Sequence, residues 1–534
     1  MQIFDAIIIG AGFSGLYQLH SLRDKLGLKV KVLEAGEGVG GTWYWNRYPG
    51  ARCDTESKAY SYYFSKELYE EWNWSERYPT QPEIEKYLNF VTDRLNMRKE
   101  IQFNAQVTDL IFDEKKHLWR VLLKNKEQYF AKFVISAVGC LSFANVPTIP
   151  NTDLFRGEVY HTGNWPKKNP NLKGKKIGVI GTGSTGIQVI PEVAKLAKKL
   201  TVFQRTPNYS VPANNYKLTE ADQIRANEEF NKSKQLMLQH RGGHPWKHSN
   251  KAAKKTNSVE RKKLYEKAWD NGGLSFRDTF SDLSVDLESN NTASNFIKDK
   301  IKSIVHDHHT ADLLTDFDHP FGSKRPPIDT NYYETFNQKD VELINIRNNP
   351  IESFVSNGLK TSKQHYELDV MIFATGFDAL TGTLLNMNIE GNNNIKLKNV
   401  WKSGPITNLG LLIPDFPNLF LITGPGSPAV LTNMPRAIEQ HVEWITECIH
   451  FMITKNYQTI ETTRKAADKW GRTVHEAVND TFFLSAKHSW YLGGNIPNKP
   501  KVFIPYAGGL NKYRELCDMV ALAKYDEFIF TQKK

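Results

Sequence analysis

Two glycine-rich segments have the residue types and spacing that bind the diphosphate of a dinucleotide. They contain Gly10, Gly12 and Gly15 in the first segment and Gly181, Gly183 and Gly186 in the second. An apolar run precedes each segment and a helix-compatible stretch follows it. Each is therefore predicted to join a β-strand to the N-terminus of a helix, where free backbone N–H groups bind phosphate. A lone glycine pattern would be a weak signal, so this context decides the interpretation.

The residue that follows each segment at a fixed distance differs in charge. Glu34 lies 19 positions after Gly15, and Arg205 lies 19 positions after Gly186. A carboxylate at this point accepts hydrogen bonds from an unmodified ribose, whereas a guanidinium pairs with a 2′-phosphate. We therefore predict that the first segment binds FAD and the second binds NADPH, in a chain that passes electrons from NADPH to the flavin.

The elements around these segments predict an α/β fold made of two Rossmann-like dinucleotide-binding domains, for FAD and NADP, with a helical insertion. Prolines near residue 147 mark a connector, and the chain becomes rich in Lys, Glu, Asp and Asn after residue 217. The expected division is 1–142 for the first part of the FAD-binding domain, 143–212 for the first part of the NADP-binding domain, 213–316 for the helical insertion, 317–373 for the second part of the NADP-binding domain and 374–534 for the second part of the FAD-binding domain.

Composition excludes several classes of partner. The 534 residues are 40% hydrophobic and 24% charged, as in ordinary soluble proteins. The net charge is +11, but Lys and Arg are interleaved with Asp and Glu, so neither nucleic acid nor a membrane is an expected partner. No apolar run approaches the about 20 residues that span a bilayer, and the first apolar stretch is already a dinucleotide strand. A cytoplasmic protein is expected.

The cysteines and histidines predict neither a disulfide framework nor a metal site. The four cysteines are far apart and form no CxxC pair: Cys53, Cys140, Cys448 and Cys517. Their spacing also excludes the redox-active dithiol of flavin disulfide reductases. His306, His308 and His309 form the nearest approach to a metal motif, but they are interpreted as the polar end of a helix.

A third segment is more specific than either glycine pattern. Residues 155–166 read FRGEVYHTGNWP, with Phe155, Gly157, His161, Trp165 and Pro166 at fixed positions. This FxGxxxHxxxWP pattern resembles the signature of Baeyer–Villiger monooxygenases. A second signature of that family resembles residues 40–54, and the similarity continues over nearly the whole chain. It looks greatest to the phenylacetone-oxidising members and is least in the helical insertion.

The resemblance implies an activity and roles for individual residues. Members of this family bind FAD, reduce it with NADPH, and use O2 to convert aromatic, linear or cyclic ketones to esters or lactones through a C4a-peroxyflavin. Sulfide oxidation is a further implied activity. Arg325 matches the family's catalytic arginine, and Asp54 matches the carboxylate that orients it. Because a guanidinium is permanently charged and forked, it suits the stabilisation of a negatively charged oxygen. His161 is expected to couple domains rather than to act as a base.

The remaining site residues follow from the glycine patterns and from the resemblance together. The residues expected to bind FAD or NADPH are Gly10, Gly12, Ser14, Gly15, Glu34, Gly41, Thr42, Trp43, Asp54, Tyr60, Val107, Gly181, Thr182, Gly183, Ser184, Thr185, Gly186, Gln188, Arg205, Thr206, Lys324, Arg325 and Trp490. The residues expected to border the substrate are Pro428, Ala429, Val430 and Leu431, whose apolar character suits a hydrophobic ketone. The expected partners are a ketone and O2, bound by a monomer.

Two other functions remain open at this stage. One is a flavin monooxygenase that oxidises nitrogen or sulfur centres, since such enzymes share the two dinucleotide sites. The other is a binding protein without turnover that senses redox state through NADPH. The segment of the catalytic arginine and the Trp165-Pro166 ending of the signature favour ketones over nitrogen and sulfur centres. A redox sensor would give Lys324, Arg325 and Asp54 no reason to match the family. The identity of the ketone is not specified by the sequence.

Overall fold

The computed structural model describes residues 2–532, which form two large β-sheets flanked by helices. The strands are β1 (Ile3–Ile9), β2 (Val30–Leu33), β3 (Ile101–Gln102), β4 (Val107–Asp113), β5 (Leu118–Leu123), β6 (Gln128–Ser136), β7 (Glu158–His161), β8 (Lys176–Ile180), β9 (Lys199–Gln204), β10 (Val211–Pro212), β11 (Ile328–Asp329), β12 (Val341–Asn345), β13 (Ile351–Val355), β14 (Gly358–Thr361), β15 (His365–Glu367), β16 (Val370–Phe373), β17 (Asn388–Glu390), β18 (Leu419–Leu421), β19 (Tyr457–Thr462) and β20 (Phe528–Gln532).

The helices connect these strands and form most of the middle of the chain. They are α1 (Phe13–His20), α2 (Thr42–Trp45), α3 (Lys66–Glu71), α4 (Gln81–Arg94), α5 (Ser184–Ala194), α6 (Glu220–Glu228), α7 (Phe230–Gln239), α8 (Ser258–Asn271), α9 (Leu287–Ile304), α10 (His308–Thr315), α11 (Tyr332–Thr335), α12 (Gly382–Asn386), α13 (Leu397–Val400), α14 (Met434–Thr454), α15 (Arg464–Asn479) and α16 (Leu510–Leu522). Short 3₁₀ helices lie between several of them, including Ala429–Leu431 and Trp490–Leu492.

The larger sheet contains the first glycine-rich segment. Its strand order is β17-β4-β5-β6-β1-β2-β3, and β18 also pairs with β6. Strand β1 is parallel to both β2 and β6, with Ile8 opposite Val32 on one side and Ile135 on the other. All three of these side chains are fully buried because they belong to the core that also contains residues of α1 and α14. Strands from both ends of the sequence thus complete this sheet.

The second sheet contains the other glycine-rich segment. Its five strands are parallel throughout, in the order β12-β9-β8-β16-β7. The predicted α/β fold with two dinucleotide-binding units is confirmed by these two sheets. The sheet strands β7, β8 and β9 come before the helical segment in the sequence, and β12 and β16 come after it.

In the sequence, helices α6 to α10 lie between the first three strands of the second sheet and its last two. Asn257 and Asp286 cap α8 and α9, since their side chains accept hydrogen bonds from backbone N–H groups of the first turn. The fully buried residues Ala293, Ile297 and Ile301 recur every four positions on α9 and pack into the same core as the second sheet. No helix within residues 2–532 is both long enough and apolar enough to cross a membrane.

Candidate active site

Each glycine-rich segment turns so tightly that its last glycine has no room for a side chain. A Cβ on Gly15 would lie 1.8 Å from the carbonyl oxygen of Gly10, and a Cβ on Gly186 would lie 2.2 Å from that of Gly181. The backbone φ angles of Gly10 and Gly181 are 105° and 111°, which other residues rarely adopt. Helices α1 and α5 begin inside these segments, so both have the form that holds a diphosphate at a helix N-terminus.

Glu34 follows β2 and is bound to the first glycine-rich segment. One of its carboxylate oxygens accepts a hydrogen bond of 2.7 Å from the backbone N–H of Ala11, and the other accepts one of 2.7 Å from that of Gly36. Burial raises the pKa of Glu34, although these hydrogen bonds oppose the effect. The carboxylate is therefore fixed where the sequence places the ribose of FAD.

A cavity of about 260 Å³ extends from the first glycine-rich segment to Arg325. The predicted site residues that line it are Gly12, Ser14, Gly41, Thr42, Trp43, Asp54, Tyr60, Ser184, Thr185, Gln188, Arg325, Val430 and Trp490. A Cβ on Gly12 would lie 3.2 Å from the Cα of Gly41, so glycines at both positions keep this end of the cavity open to a ligand. The cavity thus brings residues of both glycine-rich segments together with the two predicted catalytic residues.

Arg325 and Asp54 form an ion pair at the wall of this cavity. The Nε atom of Arg325 lies 3.3 Å from Oδ2 of Asp54, and their side chains are 24% and 9% exposed. Arg325 Nε and Asp54 Oδ1 are buried yet have no hydrogen-bond partner among residues 2–532. A bound nicotinamide or substrate would supply the missing partners, so the donor set fits the cofactors that the sequence predicts.

Burial and the opposite charge of the partner both act on the pKa of each side chain in this pair. Burial raises the pKa of the Asp54 carboxyl, and the charge of Arg325 opposes this. Burial lowers the pKa of Arg325, but the charge of Asp54 and three further ionisable neighbours raise it, so the net pKa of the guanidinium is raised. A permanently charged donor is therefore available wherever negative charge develops in the cavity.

Three predicted phosphate-binding residues lie together beyond the C-terminal end of β9. Arg205 is exposed directly after β9, and Thr206 Oγ1 donates a hydrogen bond of 3.4 Å to Asp318 Oδ2. Lys324 Nζ lies 3.9 Å from Asp318 Oδ1. Burial and the charge of Arg205 lower the pKa of Lys324, while Asp318 raises it. A 2′-phosphate there would neutralise two cations that otherwise repel each other.

Gln188 on α5 connects the two dinucleotide-binding units. Its side chain accepts a hydrogen bond of 2.8 Å from the Tyr48 hydroxyl and donates one of 3.0 Å to the carbonyl oxygen of Arg52. Because α5 begins in the second glycine-rich segment, these bonds fix that segment relative to the wall that contains Asp54.

Some predicted residues lie outside the described cavities. Val107 is buried at the start of β4. It lies near Glu34, because the backbone carbonyl of Glu34 accepts a hydrogen bond from the N–H of Ala105, two residues before Val107. Pro428 and Ala429 are buried in the loop after β18 and line none of the cavities described within residues 2–532. The other two predicted substrate-bordering residues, Val430 and Leu431, do line cavities.

His161 lies at the junction between the sheets. Its Nδ1 accepts a hydrogen bond of 3.0 Å from the backbone N–H of Gly163, and its Nε2 lies 3.3 Å from the hydroxyl of Thr375. Thr375 in turn donates to the carbonyl oxygen of Asn145 in the connector. Burial lowers the pKa of His161, so the ring is neutral and holds the connector against the end of β16.

A second cavity, of about 330 Å³, lies on the other side of Arg325 and is built largely by the helical insertion. The insertion residues with ionisable side chains that line it are His240, Arg241, His244, His248, Arg277 and Asp278. Leu431 borders this cavity too. Sequence reasoning missed the six insertion residues, because none belongs to a recognisable motif.

His240, His248 and Asp278 lie close enough to one another to hold a metal ion. The tautomer of His240 opposes this. Its Nδ1 accepts a hydrogen bond of 2.9 Å from the backbone N–H of Gly242, so the proton of the neutral ring is on Nε2, the atom that faces Asp278. Asp278 also accepts a hydrogen bond of 2.7 Å from Trp246 Nε1 and lies 2.8 Å from His248 Nδ1. The group is therefore better described as a hydrogen-bonded carboxylate than as a ligand set.

Comparison with known proteins agrees with this geometry. Residues 5–214 match the flavin-binding monooxygenase-like family. Cyclohexanone 1,2-monooxygenase of an Acinetobacter species is 41% identical over 529 residues, which cover 98% of this chain and 96% of that protein. A phenazine N-monooxygenase of Lysobacter antibioticus is 42% identical, with 98% and 97% coverage, and a Baeyer–Villiger monooxygenase of Pseudooceanicola batsensis is 40% identical, with 98% and 96% coverage.

Solved structures have the same fold along the whole chain. An OTEMO complex with FAD and NADP superposes with a TM-score of 0.95 at 37% identity and covers 99% of both chains. The similarity predicted to phenylacetone-oxidising members remains a prediction. Full-length identity near 40%, together with the two dinucleotide-binding units, establishes that the chain belongs to the Baeyer–Villiger monooxygenase family of FAD- and NADPH-dependent flavoprotein monooxygenases.

Proposed function

We propose that the protein uses NADPH and O2 to insert one oxygen atom beside the carbonyl of a ketone, giving an ester or a lactone. The observation that carries the proposal is the Arg325–Asp54 ion pair, which lies between the cavity of the glycine-rich segments and the second cavity. In the overall reaction, ketone, O2, NADPH and a proton give ester, water and NADP⁺. Ketones, including cyclic ones, are the substrates of relatives such as cyclohexanone 1,2-monooxygenase.

The chain's own residues would hold both cofactors and exclude water. Glu34 and the first glycine-rich segment would hold FAD, which activates O2 once it has been reduced. Arg205, Thr206 and Lys324 would hold the 2′-phosphate of NADPH, and Trp490 would cover the nicotinamide side. Arg325, kept in place by Asp54, would donate hydrogen bonds to the carbonyl oxygen of the ketone as it gains negative charge. We keep Gly10, Ser14, Tyr60, Val107 and Gln188 as proposed cofactor contacts, and Pro428 to Leu431 as a proposed border of the substrate.

The test is turnover by purified protein loaded with FAD. It is incubated with NADPH, air and a panel of aromatic, linear and cyclic ketones, and the products are identified by mass spectrometry. Esters or lactones that gain one ¹⁸O atom from ¹⁸O2 are the expected result. Oxidation of NADPH with no oxygenated product from any ketone would refute the proposal.

Nitrogen oxidation is the second candidate, and one observation favours it. The relative from Lysobacter antibioticus, a phenazine N-monooxygenase, is as similar to this chain as the ketone-oxidising relatives are. Phenazine and an aryl sulfide therefore belong in the same panel. N-oxide formation in place of esters would select this function, whereas binding of NADPH without any turnover would select a redox sensor.

We further propose that the protein acts as a cytoplasmic monomer with the domain division given above. The scattered surface charge and the single set of sites in one chain support this. Light scattering of the FAD-loaded protein should give a mass near 61.1 kDa. A mass of twice that value across a tenfold dilution would contradict the monomer.

A further inference from the structure

Arg277 is a half-buried arginine in the wall of the second cavity, and no residue within 2–532 pairs with it. Its guanidinium has neither a hydrogen bond nor an ion pair to any atom of that range, although the neighbouring Asp278 has three nearby partners. No nitrogen of this guanidinium is both fully enclosed and without a partner, so the group faces open space. An unpaired guanidinium in a partly enclosed cavity is costly unless a ligand completes it.

The cavity carries a net positive charge beside the proposed reaction centre. Arg241 also lines it and forms no ion pair within the described chain; its Nη2 donates only to the carbonyl oxygen of Ala507, at 3.1 Å. Asp278 is the one carboxylate in the lining, and its oxygens are already shared among His240, His248 and Trp246. Two guanidinium groups therefore have no carboxylate of their own.

Arg277 is also close to Arg325. Both side chains line the narrow gap that joins the second cavity to the reaction centre, together with Val430 and Tyr491. Burial lowers the pKa of Arg277, Asp278 raises it, and the charges of Arg325 and Arg241 lower it further. An anion between Arg277 and Arg241 would relieve this repulsion while leaving a carbonyl on the same molecule within reach of Arg325.

We propose that the second cavity binds ketones that carry a carboxylate, with Arg277 as the residue that recognises the anion. Arg241 lies on the same wall and adds to the positive field. The inference rests on the proposed ketone oxidation and refines its substrate class. A guanidinium binds a carboxylate through two parallel hydrogen bonds, which also fixes the direction of the substrate relative to Arg325.

The test compares an oxo acid with its neutral amide. The probes are 4-oxocyclohexanecarboxylate and 4-oxocyclohexanecarboxamide, which present the same ketone at pH 7.5. The kcat/KM of the wild-type protein for the acid should exceed that for the amide by about 10- to 100-fold, the value of hydrogen bonds to charged groups. In Arg277→Met this ratio should fall to about 1, and Arg277→Lys should retain part of it because the charge remains.

Binding provides a readout that does not depend on turnover. Calorimetric titration of the oxidised, FAD- and NADP⁺-loaded protein should show the same preference for the acid and the same loss in Arg277→Met. Arg225→Met is the matched control, because Arg225 is an exposed arginine of the same insertion that pairs with Asp222; its ratio should equal that of the wild type. If Arg277→Met does not fold, the Arg277→Lys protein and the salt dependence of the wild-type ratio decide.

Failure of this inference can be told apart from failure of the proposed function. Equal kcat/KM for acid and amide, with esters formed from both, would overturn the carboxylate site and leave ketone oxidation intact. A raised KM for NADPH in Arg277→Met with an unchanged acid-to-amide ratio would assign the arginine to the cofactor instead, and would also overturn the inference. If no ketone is converted, the proposed function fails, and the calorimetric preference alone decides whether the anion site exists.

Discussion

Replacement of Arg325 by alanine should separate reduction of the flavin from oxygen transfer. Arg325 lies between the cavity of the glycine-rich segments and the second cavity, whereas the residues proposed to bind the NADPH phosphate are near Asp318. In Arg325→Ala, NADPH should therefore still bleach the yellow flavin. Ester formation should be lost, and the electrons should appear as hydrogen peroxide.

The size of the effect follows from the geometry of the ion pair. At 3.3 Å and an effective dielectric constant of about 20, the attraction between Arg325 and Asp54 is about 5 kcal/mol, well above thermal energy. The guanidinium is thus preorganised before the ketone binds. Removal of one such preorganised donor costs about 10²- to 10³-fold in rate, or about 2.7–4 kcal/mol. Asp54→Asn retains a hydrogen-bond acceptor but not the charge, so a smaller loss is expected.

The assay measures three quantities on the same protein: stopped-flow reduction of the flavin, ester by mass spectrometry and hydrogen peroxide. Arg94→Ala serves as the control, because Arg94 pairs with Glu71 on the surface. The Arg325→Ala protein should also be examined with increasing pH, since loss of the neighbouring cation raises the pKa of Asp54 further above its usual range. Ester formation at the wild-type rate in Arg325→Ala would refute the role assigned to the pair.

Three further outcomes are expected. Arg205→Ala should raise the KM for NADPH about tenfold and leave that for NADH unchanged in steady-state assays, because it removes one charge-assisted contact to the 2′-phosphate; equal use of NADH and NADPH by the wild type would contradict this. Gly186→Ala would place a Cβ 2.2 Å from the Gly181 carbonyl oxygen, so it should give a yellow protein that NADPH reduces poorly. Gly471→Ala is the control and should behave as wild type, because its Cβ meets no atom within 4 Å. Burial lowers the pKa of His441 to about 3, so the unfolded chain takes up this proton at a higher pH than the folded protein does. The free energy of unfolding, measured by urea titration, should therefore fall by about 1.4 kcal/mol per pH unit as the pH drops from about 6.5. The same slope in His441→Gln would exclude this cause.

The sequence predicted the dinucleotide sites because their signals are local. Gly10, Gly15 and Glu34 lie within 25 residues of one another, and the strand, turn and helix that position them are fixed by that short stretch. By contrast, Asp54 and Arg325 are 271 residues apart, and no periodicity indicates that they meet. Only the resemblance to a family predicted that contact.

The second cavity was not predictable in the same way. Arg277 stands in a polar insertion, where an arginine is ordinarily a solvated surface residue. Its proposed role in binding depends on its surroundings after folding. It is half-buried, and the neighbouring carboxylate of Asp278 already has other partners. Pro428 and Ala429 are predicted to border the substrate from their place in the chain alone. Both are buried and line none of the cavities described within residues 2–532, so their contact with the substrate stays a prediction.

The two arginines of the reaction centre differ in how their charge is balanced, and this difference suits different tasks. Arg325 has Asp54 as a partner before any ketone binds, so we expect its charge and position to stay constant when the ketone arrives. That constancy is what stabilisation of developing charge requires, because reorganisation during the reaction would cost free energy. Arg277 has no such partner within residues 2–532, so its interactions improve only when an anion arrives. A residue whose interactions depend on the ligand contributes to the choice of substrate, whereas one that is already balanced contributes to the rate.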